Sequence, residues 1–349
     1  MGRDELYPLD NHALISKEYV CRFLAMIMLF LVVCVENGVA MNVAPTPDTH
    51  EVAPLTVRDR VGDIVRHPGF RGFAHLLLPW DDNSAYLDTA LADVGRLMPY
   101  HGNVRPDVVV HALNRMLDDA ANGLSICYDF YTEQQKQADS GKEMTALFFL
   151  RGKPGAPFAL ICPGGGFSYV GSLHEGFPLA VELSARGYNA FVLRYRVGSE
   201  LRATEDLAAA LAYVTDHAGQ LGVGVDGYSL WGGSAGARMV GNIAQHGTAR
   251  FGGAGVPAPG TVVIAYTGQS GFSSTYPPTF MTVSSDDQIV NEAVMDDRVE
   301  RLRRAGVPVE YRKYRHAGHG FGTGAGTDAE GWIGHAIRFW EKHIPFGAS

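Results

Sequence analysis

The sequence predicts an α/β fold, a mainly parallel sheet with helices on both faces, preceded by a small helical extension. Three observations carry that expectation. From about residue 126 onward, short runs rich in β-branched and aromatic residues alternate with amphipathic stretches at helical spacing. Those runs are almost continuously apolar, the mark of strands covered on both sides. The chain has 349 residues, 46% hydrophobic and 19% charged, the make-up of a globular protein that can bury a sizeable core. Such a composition excludes a disordered, collagen-like or polytopic membrane chain. A formal net charge of −8 lacks the basic face expected of a nucleic-acid binder.

Taken in order, the first stretch to stand apart is Phe23 to Val35, thirteen apolar residues preceded by Arg3, Lys17 and Arg22. Small residues at Gly38 and Ala40 follow it, giving the layout of a secretory signal, and the run is short for a membrane span of about 20 residues. The reading is an exported (periplasmic or secreted) protein cut after Ala40. A membrane association would follow only if the leader stayed as an anchor, and a cytoplasmic location only if Met41 were the true start. Of the four cysteines, Cys21 and Cys34 would leave with the leader. Cys127 and Cys162 sit in apolar, strand-like runs and read as buried free thiols.

Residues 42–60 are Pro- and Thr-rich and read as an extended linker or arm. Leu87, Leu91, Val94 and Met98 share one helical stripe, so a helix is expected over Ser84–Met98. A second is expected over Pro106–Ala121, with proline at its start and Gly123 just beyond its end. Strands follow at Ala146–Leu150, Phe158–Cys162, Ala190–Arg194, Ser229–Trp231, Val262–Tyr266, Thr279–Val283 and Val309–Tyr314. Helices are expected at Pro178–Arg186, Glu205–His217, Ala235–Gln245, Val294–Ala305 and Trp332–Lys342. The chain thus divides into a leader (1–40), a linker with a helical accessory region (41–124) and a core carrying the chemistry (125–349).

In a parallel sheet, ligands bind beyond the carboxyl ends of the strands. Gly232-Gly233-Ser234-Ala235-Gly236 lies there, between a strand and a helix. A serine on so tight a turn has its hydroxyl pushed outward, and the residues two places away must lack bulk. The helix that follows aims its first amides at any negative charge developing nearby. Pro163-Gly164-Gly165-Gly166-Phe167 follows another core strand. The amides of Gly165, Gly166 and Ala235 are therefore candidates for an oxyanion hole. An attacking serine needs a base and the base needs an acid. His319, between two glycines after the strand ending at Tyr314, is the candidate base, with His316 as a surface or supporting residue. Asp287, after the strand ending at Val283, is the candidate acid, with Asp286 as its alternative or as a turn cap. The order Ser, Asp, His is that of the α/β-hydrolases.

Two other patterns carry less. Gly222 to Gly227 matches G-x-G-x-x-G, but it follows a helix and precedes a strand, the reverse of a dinucleotide site. His316, His319 and the Asp286/Asp287 pair lack metal-ligand spacing, so neither metal nor cofactor is expected.

With these residues in view, the chain from about residue 125 onward resembles the α/β-hydrolase esterases related to acetyl xylan esterases and other sugar-ester deacetylases. The strings that carry the resemblance are CPGGGF with His174-Glu175-Gly176 downstream, FVLRYRV at 191–197, GGSAGA at 232–237, DDQIV at 286–290 and RRAGVPVEYRKYRHAGHGFG at 303–322. Pro163 stands where many hydrolases of this fold have histidine, a variant of the sugar-esterase group. The resemblance implies Ser234 as nucleophile, Asp287 as acid, His319 as base, and Gly165, Gly166 and Ala235 as oxyanion donors. It also implies His174 and Glu175 near the entrance without assigning them a role; with Phe167 they are candidate substrate-binding residues. The elbow departs from its relatives at Gly233, which should leave the flank of the nucleophile open and makes that position a further substrate-binding candidate. The expected activity is a serine carboxylic-ester hydrolase working through an acyl-enzyme on small acyl esters of carbohydrates, acetyl above all. A peptidase or broad carboxylesterase of the same fold is the alternative, and a non-catalytic binding protein on this scaffold the alternative of another class. Residues 42–124 match no familiar string and are expected to cover the active-site mouth or a subunit contact.

Overall fold

A computed structural model describes residues 53–344 apart from 272 and 274, and these fall within one compact unit. The leader, the Met41 start and the first part of the 42–60 segment lie outside the described residues. No helix among the described residues is long and apolar enough to cross a membrane.

The sheet has eight strands among the described residues: β1 Cys127–Tyr128, β2 Ala146–Leu150, β3 Pro157–Cys162, β4 Asn189–Arg194, β5 Gly224–Gly233, β6 Thr261–Ala265, β7 Thr279–Ser284 and β8 Val309–Tyr314. Their spatial order is β1-β2-β4-β3-β5-β6-β7-β8. β1 and β2 pair antiparallel at one edge, and every pairing from β4 to β8 is parallel. β2, β4, β6 and β7 are buried along their whole length, which is why they read as unbroken apolar runs. The longer helices are α1 Pro106–Ala121, α2 Phe177–Ala185, α3 Glu200–Asp216, α4 Ala235–His246, α5 Glu292–Arg304 and α6 Trp332–His343. α3 packs on α4, which lies against β3, β5 and β6, while α2 packs against β2, β3 and β4 and meets both α1 and α6.

Register places the site. Cys162 pairs with Gly232 and Gly233 with Ala265, so the glycine loop after β3, the turn after β5 and the end of β6 emerge side by side. Ser284 pairs with Tyr314, bringing the loops after β7 and β8 together in the same way.

One expectation at the N-terminal side is corrected. Ser84–Met98 is not one helix: it forms tight turns at Ser84–Tyr86 and Leu91–Leu97, with non-helical backbone at Asp93. The reason is a competing tertiary pairing. The amides of Val61 and Gly62 bond the carbonyls of Thr89 and Leu87, and those of Leu91 and Ala92 bond Asp59 and Val57, so the backbone of 87–92 is already engaged. Leu91, Val94 and Leu97 are buried at a spacing of three, as a 3₁₀ turn presents them. Of the two readings of 42–60, the described residues 53–60 fit the arm, because Leu55 is buried and exchanges two 2.8 Å hydrogen bonds with the Asn114 side chain on α1. α3 begins five residues before the expected Glu205, since the Ser199 hydroxyl caps it by accepting from the Arg202 amide. Cys162 is a buried free thiol, whereas Cys127 is only half-buried.

Candidate active site

Ser234 forms the N-cap of α4 with φ +50° and ψ −113°. This backbone is unfavourable for any side chain, and the packing around it holds it in place. A Cβ on Gly236 would lie 1.8 Å from the Cys162 carbonyl oxygen, and one on Gly232 would lie 2.5 Å from the Gly236 carbonyl oxygen. Gly236 is thus required by the approach of α4 to β3, and Gly232 by the tight closure of the turn onto the start of α4, as the sequence spacing implied.

His319 bridges the two other predicted groups. Its Nε2 lies 2.9 Å from Ser234 Oγ and its Nδ1 lies 2.8 Å from Asp287 Oδ2. A carboxylate can only accept, which assigns the ring proton to Nδ1 and leaves Nε2 to accept from the serine hydroxyl. The side chains of His319 and Asp287 are almost wholly buried. Asp287 Oδ1 accepts from the amides of Ile289 and Val290, both at 2.8 Å, which locks the carboxylate in place. Asp286 turns the other way: its Oδ1 accepts from the Ser284 hydroxyl at 2.5 Å and from the Gly318 amide at 2.8 Å, pinning the histidine loop. Burial opposes ionisation of Asp286, but those donors outweigh it and hold the carboxyl below its usual range. His316 is exposed, with Nδ1 3.8 Å from Asp286 Oδ2.

The glycine loop meets the elbow directly, since a Cβ on Gly164 would lie 3.0 Å from Ser234 Cβ. The Gly164 amide donates to Glu175 Oε2 at 2.5 Å, while those of Gly165 and Gly166 have no acceptor among the described residues. Gly165 has φ +134° and a Cβ there would lie 2.0 Å from the Tyr169 carbonyl oxygen, so only glycine closes this turn. Ala235, first residue of α4, has an amide with no intrahelical acceptor. Phe167 is half-buried at φ +57°, with its ring edge-on to Tyr195.

Three sequence expectations change here. His174 and Glu175 do not stand at the entrance. They lie on a single π-turn, Ser172–Gly176, with their side chains buried beneath the glycine loop. Nor is the flank at Gly233 open, because a Cβ there would lie 2.7 Å from Glu175 Oε2 and 2.9 Å from the Tyr266 hydroxyl. Glu175 Oε1 also accepts from the Tyr266 hydroxyl at 2.8 Å and faces His101 Nε2 at 3.2 Å. Burial by itself would raise the Glu175 carboxyl, but the adjacent His101 ring, the Gly164 amide and His174 outweigh it and bring it down to about 2.

His174 donates from Nε2 to the Gly320 carbonyl at 2.9 Å. Burial, reinforced by the nearby His101, lowers its pKa from 6.5 to about 4. Between those values the unfolded chain takes up a proton that the native state refuses, so stability is full above pH 6.5 and falls as the pH drops towards 4. That window carries about 3 kcal/mol. His174→Gln keeps a side-chain N–H for Gly320 and cannot titrate, so urea melts from pH 7 to pH 4 are expected to show a shallower acid loss than wild type. Parallel losses in the two proteins would remove His174 as the cause.

Four non-glycine residues among those described have positive φ: Asn103 (54°), Phe167 (57°), Ser234 (50°) and Tyr266 (36°). All four meet at this site. Asn103 Nδ2 donates to the Ala317 carbonyl at 2.9 Å, and the Tyr266 ring packs edge-on against His319 with centroids 5.2 Å apart. Sequence reasoning missed Tyr266, His101, Tyr169 and Asn103. Tyr266 ends a predicted strand at the carboxyl edge of the sheet, and that position is the signal that points to it. His101 and Asn103 come from a segment with no local pattern, and only their contacts reveal them. Among the described residues no group of three or more His, Cys, Asp or Glu is arranged to hold a metal ion.

The fold has counterparts among solved structures. An α/β-hydrolase enzyme from a Medee basin deep-sea metagenome library matches at 25% identity and a TM-score of 0.50, over 57% of this chain and 92% of that one. An acetyl ester-xyloside bifunctional hydrolase from Caldicellulosiruptor lactoaceticus matches at 22% and 0.50, over 57% and 88%. A carboxylesterase from Lactobacillus plantarum matches at 20% and 0.50, over 57% and 92%. The fold is that of the α/β-hydrolases. No family model matches the chain, and no curated protein does.

Proposed function

We propose that this α/β-hydrolase chain is a serine carboxylic-ester hydrolase that acts through an acyl-enzyme on short acyl esters, acetyl esters of carbohydrates first among them. The observation that carries the reading is the unbroken line from Ser234 Oγ through His319 to Asp287, beside amides that no other group occupies. His319 Nε2 takes the serine proton as Oγ attacks the ester carbonyl carbon, and Asp287 steadies the imidazolium. The carbonyl oxygen, now anionic, accepts from the amides of Gly165, Gly166 and Ala235. His319 returns its proton to the leaving alcohol. A water then repeats the attack and frees the acid and the serine.

The preference for a short acyl group is supported by Glu175 and Tyr266, which close one side of the nucleophile at Gly233. On the alcohol side Tyr100 is 43% exposed, and its ring lies 3.0 Å from where a Gly166 Cβ would stand. An exposed aromatic face beside the oxyanion amides suits a sugar ring, and the motif resemblance points to the same substrates. The test is a panel of p-nitrophenyl esters of rising chain length, acetylated sugars and a peptide amide. The acetate is expected to exceed the octanoate by at least about tenfold in kcat/KM. A peptide amide cleaved faster than every ester would replace this reading with a peptidase. The absence of both turnover and fluorophosphonate labelling of Ser234 would end it.

A further inference from the structure

The Glu175 carboxylate has a place that neither the mechanism nor the fold accounts for. It is buried among groups from distant parts of the chain. Oε2 holds the Gly164 amide, and Oε1 meets the Tyr266 hydroxyl and His101 Nε2. A Cβ added at Gly164, Gly233 or Gly320 would come within 2.8, 2.7 or 3.3 Å of one of its oxygens. Those glycines belong to the loop of oxyanion donors, the elbow of Ser234 and the loop of His319. One carboxylate therefore lies in contact range of all three, beside His101 at Gly320.

A buried carboxylate is costly to desolvate, and an apolar residue of the same shape commonly gives an equal or more stable fold. Stability alone is thus a weak reason for its presence. Its partners suggest a better one. By taking the Gly164 amide it fixes the first peptide of the glycine loop and leaves the next two amides for a ligand. His101, in turn, is held at Nδ1 by the Tyr169 hydroxyl at 2.8 Å, and the same hydroxyl accepts from the Tyr100 amide at 2.9 Å. The Gly102 amide donates to the His319 carbonyl at 2.8 Å. Residues 100–103 precede the sheet, yet they brace both the carboxylate and the histidine loop.

We propose that Glu175 is a positioning residue for the oxyanion amides and the nucleophile elbow, and that His101 completes it, which makes the segment before the sheet part of the catalytic centre. This inference rests on the ester-hydrolase reading.

The test uses the full chain with Glu175→Ala, Glu175→Gln and His101→Ala, assayed on p-nitrophenyl acetate, with kcat divided by the number of sites titrated by a fluorophosphonate. That division matters, because a merely structural role lowers the number of competent sites and leaves turnover per site unchanged. Glu175→Ala is expected to lower kcat per site by about 100-fold, with KM within about twofold, the signature of lost oxyanion stabilisation. Glu175→Gln retains an oxygen for the Gly164 amide and is expected to stay within about tenfold of wild type, and His101→Ala to lose about tenfold. If Glu175→Ala fails to fold, the other two variants decide. Turnover per site at the wild-type level in His101→Ala and in whichever Glu175 variants fold overturns the inference alone. A wild type with neither turnover nor label overturns the hydrolase reading and this inference together.

Discussion

Ser234→Ala is expected to fold as wild type does and to lose about 10⁴-fold or more in kcat. The hydroxyl is the atom that attacks, and no other hydroxyl is bonded to His319 among the described residues. What survives should be the small rate enhancement of the glycine amides acting on a water. The fold should persist because the turn is held by glycine contacts and by the Ser234 amide, which donates to the Ala265 carbonyl at 3.0 Å; the hydroxyl bonds only His319. Alanine tolerates φ +50° no worse than serine does. The measurement is single-site kinetics beside a thermal melt. A variant within tenfold of wild type would mean the nucleophile lies elsewhere.

Arg194→Met is expected to cost about 4 kcal/mol and to lower the thermal midpoint by about 10 °C. Arg194 ends β4 with its side chain wholly buried. Its guanidinium donates to the carbonyl of Leu78, to those of Trp80 and Met144 at 3.3 and 3.1 Å, and to Asp81 Oδ1 at 2.8 Å. Methionine fills much of the volume but leaves those buried and half-buried carbonyls without their donor, and desolvated acceptors are expensive. The segment released is the one that leads to Tyr100 and His101. A loss of stability with no change in activity at low temperature would separate this anchoring from the positioning role of His101. A midpoint within 2 °C of wild type would show that the carbonyls find water instead.

The G-x-S-x-G string, the triple glycine and the DDQIV turn each sit directly after an apolar run, and the glycine-flanked histidine follows the half-buried edge strand β8; local chemistry is enough to say so. A tight turn needs glycine wherever two backbones touch, and a strand covered on both faces must be apolar throughout. Such constraints act within a few residues and leave their mark in the string itself. The α1 helix was legible for the same reason, with Pro106 at its start and Gly123 past its end.

The failures share a different cause. Residues 84–98 have a helical stripe, but their amides and carbonyls were claimed by residues 57–62, far enough away that no local window registers the competition. The motif resemblance puts His174 and Glu175 near the entrance, whereas both lie buried beneath the glycine loop. What draws Glu175 inward is a set of donors from residues 101, 164 and 266, and those converge only in three dimensions. The sequence by itself determined the order of the core strands from β2 onward and of the longer helices, the turn glycines and the residues suited to attack, because each depends on its nearest neighbours. Tertiary structure decided which carboxylate lies beneath the site, which strand-end tyrosine packs on His319, and that a segment before the sheet reaches both. Those choices depend on burying charge only where distant parts of the chain can bond it.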